Sequence, residues 1–203
     1  SWSVIAGGIV GAAYVNFENL FVVGGTGANT ISGGNGNDTI FNTYGNISAF
    51  AAGSINGNGG KDAIEFHGFP STGIQIIDGG AGYDRFTWSN GTAASRDLDF
   101  DASGGTMMAD GALFATLTQI ETFAFRTSAG YSGSFTYTGA TGSDSLSIYA
   151  SGSTIDLGDG NDQVTVQSGG SVVTGGAGND TIFIANPNTG IHTLYGGAGN
   201  DRI

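Results

Sequence analysis

Gly175 to Phe183 reads GGAGNDTIF, and this nonapeptide decides how the rest of the chain is read. Six turn-forming residues rich in glycine end on an aspartate, and three strand-forming residues follow. The same frame recurs at Gly33 to Phe41 (GGNGNDTIF), Gly57 to Glu65 (GNGGKDAIE) and Gly79 to Thr87 (GGAGYDRFT). It returns at Gly139 to Ser147 (GATGSDSLS), at Leu157 to Thr165 (LGDGNDQVT), and in short form at Gly196 to Ile203 (GGAGNDRI). An eighth copy, Gly24 to Ser32 (GGTGANTIS), carries Asn29 where the others carry aspartate. Repetition at a fixed short period is the mark of a solenoid, because each unit is too small to bury a core alone. Asp38, Asp62, Asp84, Asp144, Asp162, Asp180 and Asp201 all hold the sixth position. Solvated turn residues would have no reason to keep that register.

The physical logic of one unit is short. Glycine permits the left-handed conformations of a tight six-residue turn. In the three-residue strand alternate side chains face opposite ways, so the eighth residue points inward. Those residues are Ile31, Ile40, Ile64, Phe86, Leu146, Val164, Ile182 and Ile203. Successive coils of such a chain stack at the β-strand spacing of roughly 4.8 Å. The expected core is thin, one inward side chain per strand, each contributing about 1.5–3 kcal/mol. Ordering nine residues costs on the order of 10 kcal/mol of backbone entropy. Stacked aspartates worsen the balance through like-charge repulsion. A divalent cation between coils reverses the sign of that contribution, so its binding free energy becomes folding free energy.

The pattern GGxGxDxUx, with U a large apolar residue, resembles the calcium-binding nonapeptide of the RTX (repeats-in-toxin) family. The resemblance covers roughly residues 24 to 87 and 139 to 203. It implies an all-β fold, a right-handed parallel β-roll or β-solenoid, with several Ca²⁺ ions between turn loops one coil apart. The ligands it implies are the seven register aspartates and loop backbone carbonyls. Those carbonyls belong to Gly33, Asn35, Gly57, Gly59, Gly80, Gly82, Gly139, Thr141, Leu157, Gly175, Ala177, Gly197 and Gly199. Asp159 adds either its side chain or only its carbonyl. All-oxygen ligation is what hard Ca²⁺ prefers. The resemblance also implies a secreted, extracellular or cell-surface location, type I secretion unfolded through a one-step channel, and folding on exit into millimolar calcium.

Spacing adds a specific expectation. Repeats starting at 139, 157 and 175 are 18 residues apart, and the one at 196 follows after 21. One coil is two nonapeptides, so Asp144, Asp162, Asp180 and Asp201 should form a single ladder. The opposite turns, Ser151-Gly152-Ser153, Ser168-Gly169-Gly170 and Asn186-Pro187-Asn188, carry no aspartate. Asp38, Asp62 and Asp84 are 24 and 22 residues apart, with enlarged turns between them and only Asn29 on the other side. The ladders are therefore expected to be one-sided.

Residues 88 to 138 break the pattern. Asp97-Leu98-Asp99-Phe100-Asp101 and Phe123-Ala124-Phe125 alternate as antiparallel or edge strands do. Phe17-Glu18-Asn19-Leu20 and Ile120-Glu121-Thr122-Phe123 stand 103 residues apart, each upstream of a nonapeptide block. The domain reading is thus 1–23, the end of a preceding β connector; 24–87, a first roll block; 88–138, an interrupting β connector; and 139–203, a second roll block. Ile203 falls inside a repeat and Ser1 is not Met, so both ends are expected to be cuts in a longer protein. The apolar stretch Val4 to Val15 lacks a basic flank and is read as strand.

Composition sets the exclusions. With 39 Gly, 39% hydrophobic and 11% aromatic residues, the chain has material for a core and is not read as disordered. Seventeen acids against five bases give a net charge of -12, which argues against nucleic acid as a partner. No segment is apolar enough for a membrane span. Absence of Cys removes disulfides, thiolate metal sites and cysteine catalysis. There is no nucleophile elbow and no zinc-protease helix. His67 and His192 stand outside any constellation and are given surface or packing roles. Asp78, Asp156, Asp97, Asp99 and Asp101 are read as solvent-facing, with metal as the alternative. Phe123, Phe125, Phe135 and Tyr137 are read as connector core, with carbohydrate stacking as the alternative. The chain is expected to be a non-enzymatic, calcium-folded segment of a large adhesin or surface-layer type protein. Partners could then be neighbouring copies in a surface array or a polysaccharide or other cell-surface ligand. The alternatives are the accessory β-roll of a secreted enzyme or toxin, and a polysaccharide-active β-helix.

Overall fold

The computed structural model describes residues 2–5, 13–14, 20–23, 30–41, 50–51, 53–90, 96–187 and 190–203. The loop around Asn29, the connector residues Val15 to Asn19 with Glu18, and Asn188 lie outside them. Regular structure among the described residues is almost entirely β-strand, and no helix there is long and apolar enough to cross a membrane. The chain divides into two compact units, residues 1–93 with 113–122, and residues 94–112 with 123–203.

In the first unit the chain alternates between two parallel sheets. One sheet holds Trp2–Ile5, Leu20–Val23, Thr39–Phe41, Ala63–His67 and Arg85–Ser89. The other holds Ala13–Tyr14, Thr30–Ser32, Ser54–Asn56, Gln75–Asp78 and Ala112–Thr118. Each visit to both sheets is one coil, so this is a parallel β-solenoid. The second unit repeats the plan. Thr122–Arg126, Ser145–Ile148, Gln163–Val166 and Thr181–Ile184 stack in one sheet. Leu98–Asp101, Phe135–Thr138, Thr154–Asp156, Val172–Ala177 and Thr193–Ala198 stack in the other. Thr106–Ala109 pairs antiparallel with Leu98–Asp101.

Three expectations change. The core is thicker than one residue per strand. Ile64 with Phe66, Phe86 with Trp88, Leu146 with Ile148, and Val164 with Val166 are all buried. The strands on that side run to four or five residues, so alternation brings a second side chain inward. The Phe123–Phe125 strand is not antiparallel; it stacks parallel on Ser145–Ile148. Parallel stacking requires only a strand in register, so the coil persists where the turn motif lapses. Ile203, expected to point inward, is 65% exposed and lies one residue past an isolated bridge between Thr181 and Arg202.

The core of each unit holds an aromatic cluster. In the first unit Phe69 packs on Trp88 and Phe114, with ring centroids 5.5 and 5.2 Å apart. In the second, Phe125 touches Phe100, Phe123 and Tyr137. Phe123, Phe125, Phe135 and Tyr137 are all buried, which removes them as a stacking surface for sugars.

Candidate metal centre

The register aspartates stack on one turn of each unit, and a side-chain hydrogen bond marks every step. Asp62 Oδ1 accepts from Asp38 N, and Asp84 Oδ1 accepts from Asp62 N, both at 2.8 Å. In the second unit Asp162 Oδ1 accepts from Asp144 N, Asp180 from Asp162, and Asp201 from Asp180, at 2.7, 2.9 and 3.1 Å. Each aspartate thus reaches back one coil. A second ladder runs forward. Asn161 Oδ1 accepts from Asn179 N, and Asn179 Oδ1 from Asn200 N, each at 2.8 Å. Asn37 does the same for Lys61 N. At Asn161-Asp162 and Asn179-Asp180 the pair at positions five and six therefore ties its coil to both neighbours. Sequence reasoning credited the aspartate alone, although the recurring Asn beside it was visible.

The second carboxylate oxygen is the informative one. Asp62, Asp84, Asp162 and Asp180 are nearly inaccessible to solvent, and the Oδ2 of each has no hydrogen-bond partner. Leaving such oxygens dry and unpaired is costly, and a cation is a natural remedy. Main-chain carbonyls converge on the same places. A Cβ added at Gly57 would run into Asp62 Oδ2 and Gly79 O, and one at Gly175 into Asp180 Oδ2 and Gly196 O. The glycine is required because a carboxylate and a carbonyl of the next coil occupy the space a side chain would take. Among the described residues, no group of three His, Cys, Asp or Glu side chains forms a metal cluster. The ladder explains this, since each coil contributes one carboxylate and the remaining donors are carbonyls. The donors are all oxygen, which fits Ca²⁺.

Electrostatics point the same way. Burial pushes the Asp162 carboxyl up to about 7, against the hydrogen bond from Asp144 N, with the charges of Asp144, Asp180 and Asp159 adding. Burial likewise raises Asp62 to about 6, helped by Asp84 and Asp38. Asp84 is raised by burial, with Glu121 and Asp78 contributing charge. Carboxylates held this way in the absence of a cation resist ionisation.

The remaining sequence-predicted residues divide. Gly33, Gly57, Gly139, Leu157 and Gly175 hold the first turn position, where carbonyl and Cα of successive coils face each other. A Cβ at Gly33 would meet Asp38 Oδ2 and Gly57 O, and one at Gly139 would meet Leu157 O. In two repeats the expected residues are offset by one, because Gly79 and Gly196 present the equivalent carbonyls, not Gly80 and Gly197. Asn35, Thr141, Ala177, Gly82 and Gly199 lie on the exposed rim, while Gly59 is half-buried. The Ala177 carbonyl already accepts from Gly160 N at 2.7 Å. Asp159 is exposed and bridges to Ala177. Asp38 Oδ2 accepts from Gly34 N, and Asp144 Oδ2 accepts from the Tyr137 hydroxyl at 2.6 Å.

Other acids are occupied locally. Asp97 Oδ1 accepts from Ser134 N and Oγ, which holds its carboxyl below the usual range. Asp101 Oδ1 accepts from Ser103 Oγ and Gly104 N. Asp78, read as solvent-facing, instead has a buried Oδ1 without a partner. His67 joins Glu65 of its own strand and Ser89 of the next, at 2.8 and 2.5 Å. Gln119 and Glu121, which sequence reasoning left out of the site, sit at the end of the first ladder; only the recurrence of Glu18 and Glu121 hinted at a role.

Comparison with known families matches the RTX calcium-binding nonapeptide repeat, in four copies, at residues 21–43, 156–183 and 189–203. No curated protein matches the chain.

Proposed function

From a chain that carries RTX calcium-binding nonapeptide repeats, which imply Ca²⁺ binding by a structural segment, we propose the following reading. It is a calcium-folded stretch of a large secreted or cell-surface bacterial protein, of adhesin or surface-layer type, with no catalytic activity of its own. The observation that carries calcium-dependent folding is the row of buried, partnerless carboxylate oxygens at Asp62, Asp84, Asp162 and Asp180, in a chain of net charge -12. Bound calcium supplies the positive charge those atoms lack, and they in turn supply it with oxygen ligands.

The tandem structural role has its own support. Phe21 pairs with Thr39 and Ala124 with Ser145. Each lies three residues after a connector glutamate, Glu18 or Glu121, and opposite the residue after a register aspartate. The two strands enter their ladders in one register, as a unit repeated end to end should. Such an array stiffens only where calcium is plentiful, which suits a stalk or lattice outside the cell.

Circular dichroism tests the calcium reading. The chain in excess chelator should have little β-structure, and calcium at about 10⁻⁴–10⁻³ M should restore it. Magnesium should substitute poorly because it demands a tighter octahedral shell. A fully folded chain in chelator would sink the proposal.

A further inference from the structure

Three successive positions in the first unit are built alike. At Gly33 the converging oxygens are Asp38 Oδ2 and Gly57 O; at Gly57 they are Asp62 Oδ2 and Gly79 O; at Gly79 they are Asp84 Oδ2 and Gln119 O. In the first two the carbonyl comes from the first residue of the next nonapeptide. In the third it comes from Thr118-Gln119-Ile120-Glu121, which contains no glycine and no nonapeptide.

That segment reaches the same geometry by other means. Gln119 takes a φ of +52°, a left-handed conformation uncommon for a residue with a side chain. Glu121 Oε2 accepts from Asp84 N at 2.6 Å, the bond that Asp62 and Asp84 make to the coils before them. Glu121 N and Thr122 N both donate to Asp84 O, at 3.2 and 3.1 Å, so the loop is clamped around Asp84. Asp84 itself is 0% exposed, and its Oδ2 faces this point without a partner.

We propose that Asp84, the last register aspartate of the first unit, forms a further calcium site with Gln119 and Glu121, which lie outside any nonapeptide, and that this site closes the ladder of that unit. It rests on the calcium ladder proposed above and extends it to residues no repeat pattern marks. Asp84 gives a buried carboxylate oxygen, Gln119 gives its carbonyl, and Glu121 gives the acid of the adjacent coil. The longer glutamate side chain spans a loop that lacks the glycine turn. Calcium here would couple the order of residues 118–122 to the roll before them.

Calorimetric titration of the full chain with calcium alone tests this. Glu121→Gln keeps an oxygen for Asp84 N and removes the charge. It should weaken one binding event by about tenfold or more and leave the others in place. Glu121→Asp, which keeps the charge on a shorter side chain, should weaken the same single event if Glu121→Gln fails to fold. Unsubstituted binding by the Glu121 variants overturns this site and leaves the ladder standing. Absence of calcium uptake by the unsubstituted chain overturns the ladder, and this site with it.

Discussion

Asp144 and Asp162 occupy the same position in neighbouring coils of the second unit, yet their surroundings differ in one atom. Both are 2% exposed, and both accept a backbone N–H at Oδ1, from Phe123 and Asp144 respectively. At Oδ2 Asp162 has no partner, whereas Asp144 has the Tyr137 hydroxyl at 2.6 Å. Burial raises both carboxyls, Asp144 to about 6 and Asp162 to about 7. Two hydrogen bonds, from Tyr137 and Phe123, hold Asp144 down, while Asp162 has one and faces the charges of Asp144, Asp180 and Asp159. The difference teaches that a buried ladder carboxylate can be satisfied in two ways. One is a side chain from the protein; the other is an ion from solution.

The largest effect should come from removing charge at the two positions. Asp162→Asn keeps the acceptor for Asp144 N but spoils a position that serves the coils on both sides. Its calcium midpoint, followed by circular dichroism, should rise by about a hundredfold. Asp144→Asn should shift the midpoint far less, because Tyr137 already engages the oxygen in question. Equal shifts would erase the distinction. Asp162→Ala should likewise exceed Asp201→Ala. Asp201 is half-buried, and among the described residues it serves only the step to Asp180 N.

Acidity should sharpen the contrast more gently. An aspartate in an unfolded chain has a pKa near about 3.9. Asp62 at about 6 and Asp162 at about 7 bind protons more tightly when folded. The folded state then holds more protons than the unfolded one, so stability without metal falls as pH rises through this window. In calcium-stripped buffer the chain should have more β-structure at pH 5 than at pH 7.5, the reverse of ordinary acid denaturation. With calcium present the trend should invert, since protons and calcium compete for the same oxygens. A metal-free chain that loses structure on going from pH 7.5 to 5 would contradict the raised carboxyls.

The roll was legible in the sequence because its determinants are local. Asp180 follows a glycine turn and precedes Ile182, and seven copies of that arrangement fix strand, turn and inward face together. The 18-residue spacing also foretold the stacking of Asp144, Asp162 and Asp180. What escaped was carried by residues with no fixed offset from the motif. Tyr137 reaches Asp144 from seven positions upstream on the other sheet. Glu121 meets Asp84 across 37 residues. Gln119 contributes by a backbone angle rather than by its side chain. The thicker core was missed because Phe66, Trp88, Ile148 and Val166 each lie one residue beyond the end of the nonapeptide.

The smallest expected effect is the most direct test of the comparison. Tyr137→Phe removes one hydroxyl from a buried ring and leaves its packing on Phe125 in place. Asp144 Oδ2 then becomes what Asp162 Oδ2 already is, a buried carboxylate oxygen with no partner. In calcium just sufficient to fold the chain the variant should lose about 1 kcal/mol of stability, the net contribution of such a hydrogen bond. In saturating calcium it should lose less, because an ion can now take the place the hydroxyl held. The gap between the urea midpoints at saturating and at limiting calcium should therefore widen. If the variant is destabilised equally at both calcium levels, Tyr137 is a core residue only, and the two aspartates differ in nothing that calcium senses.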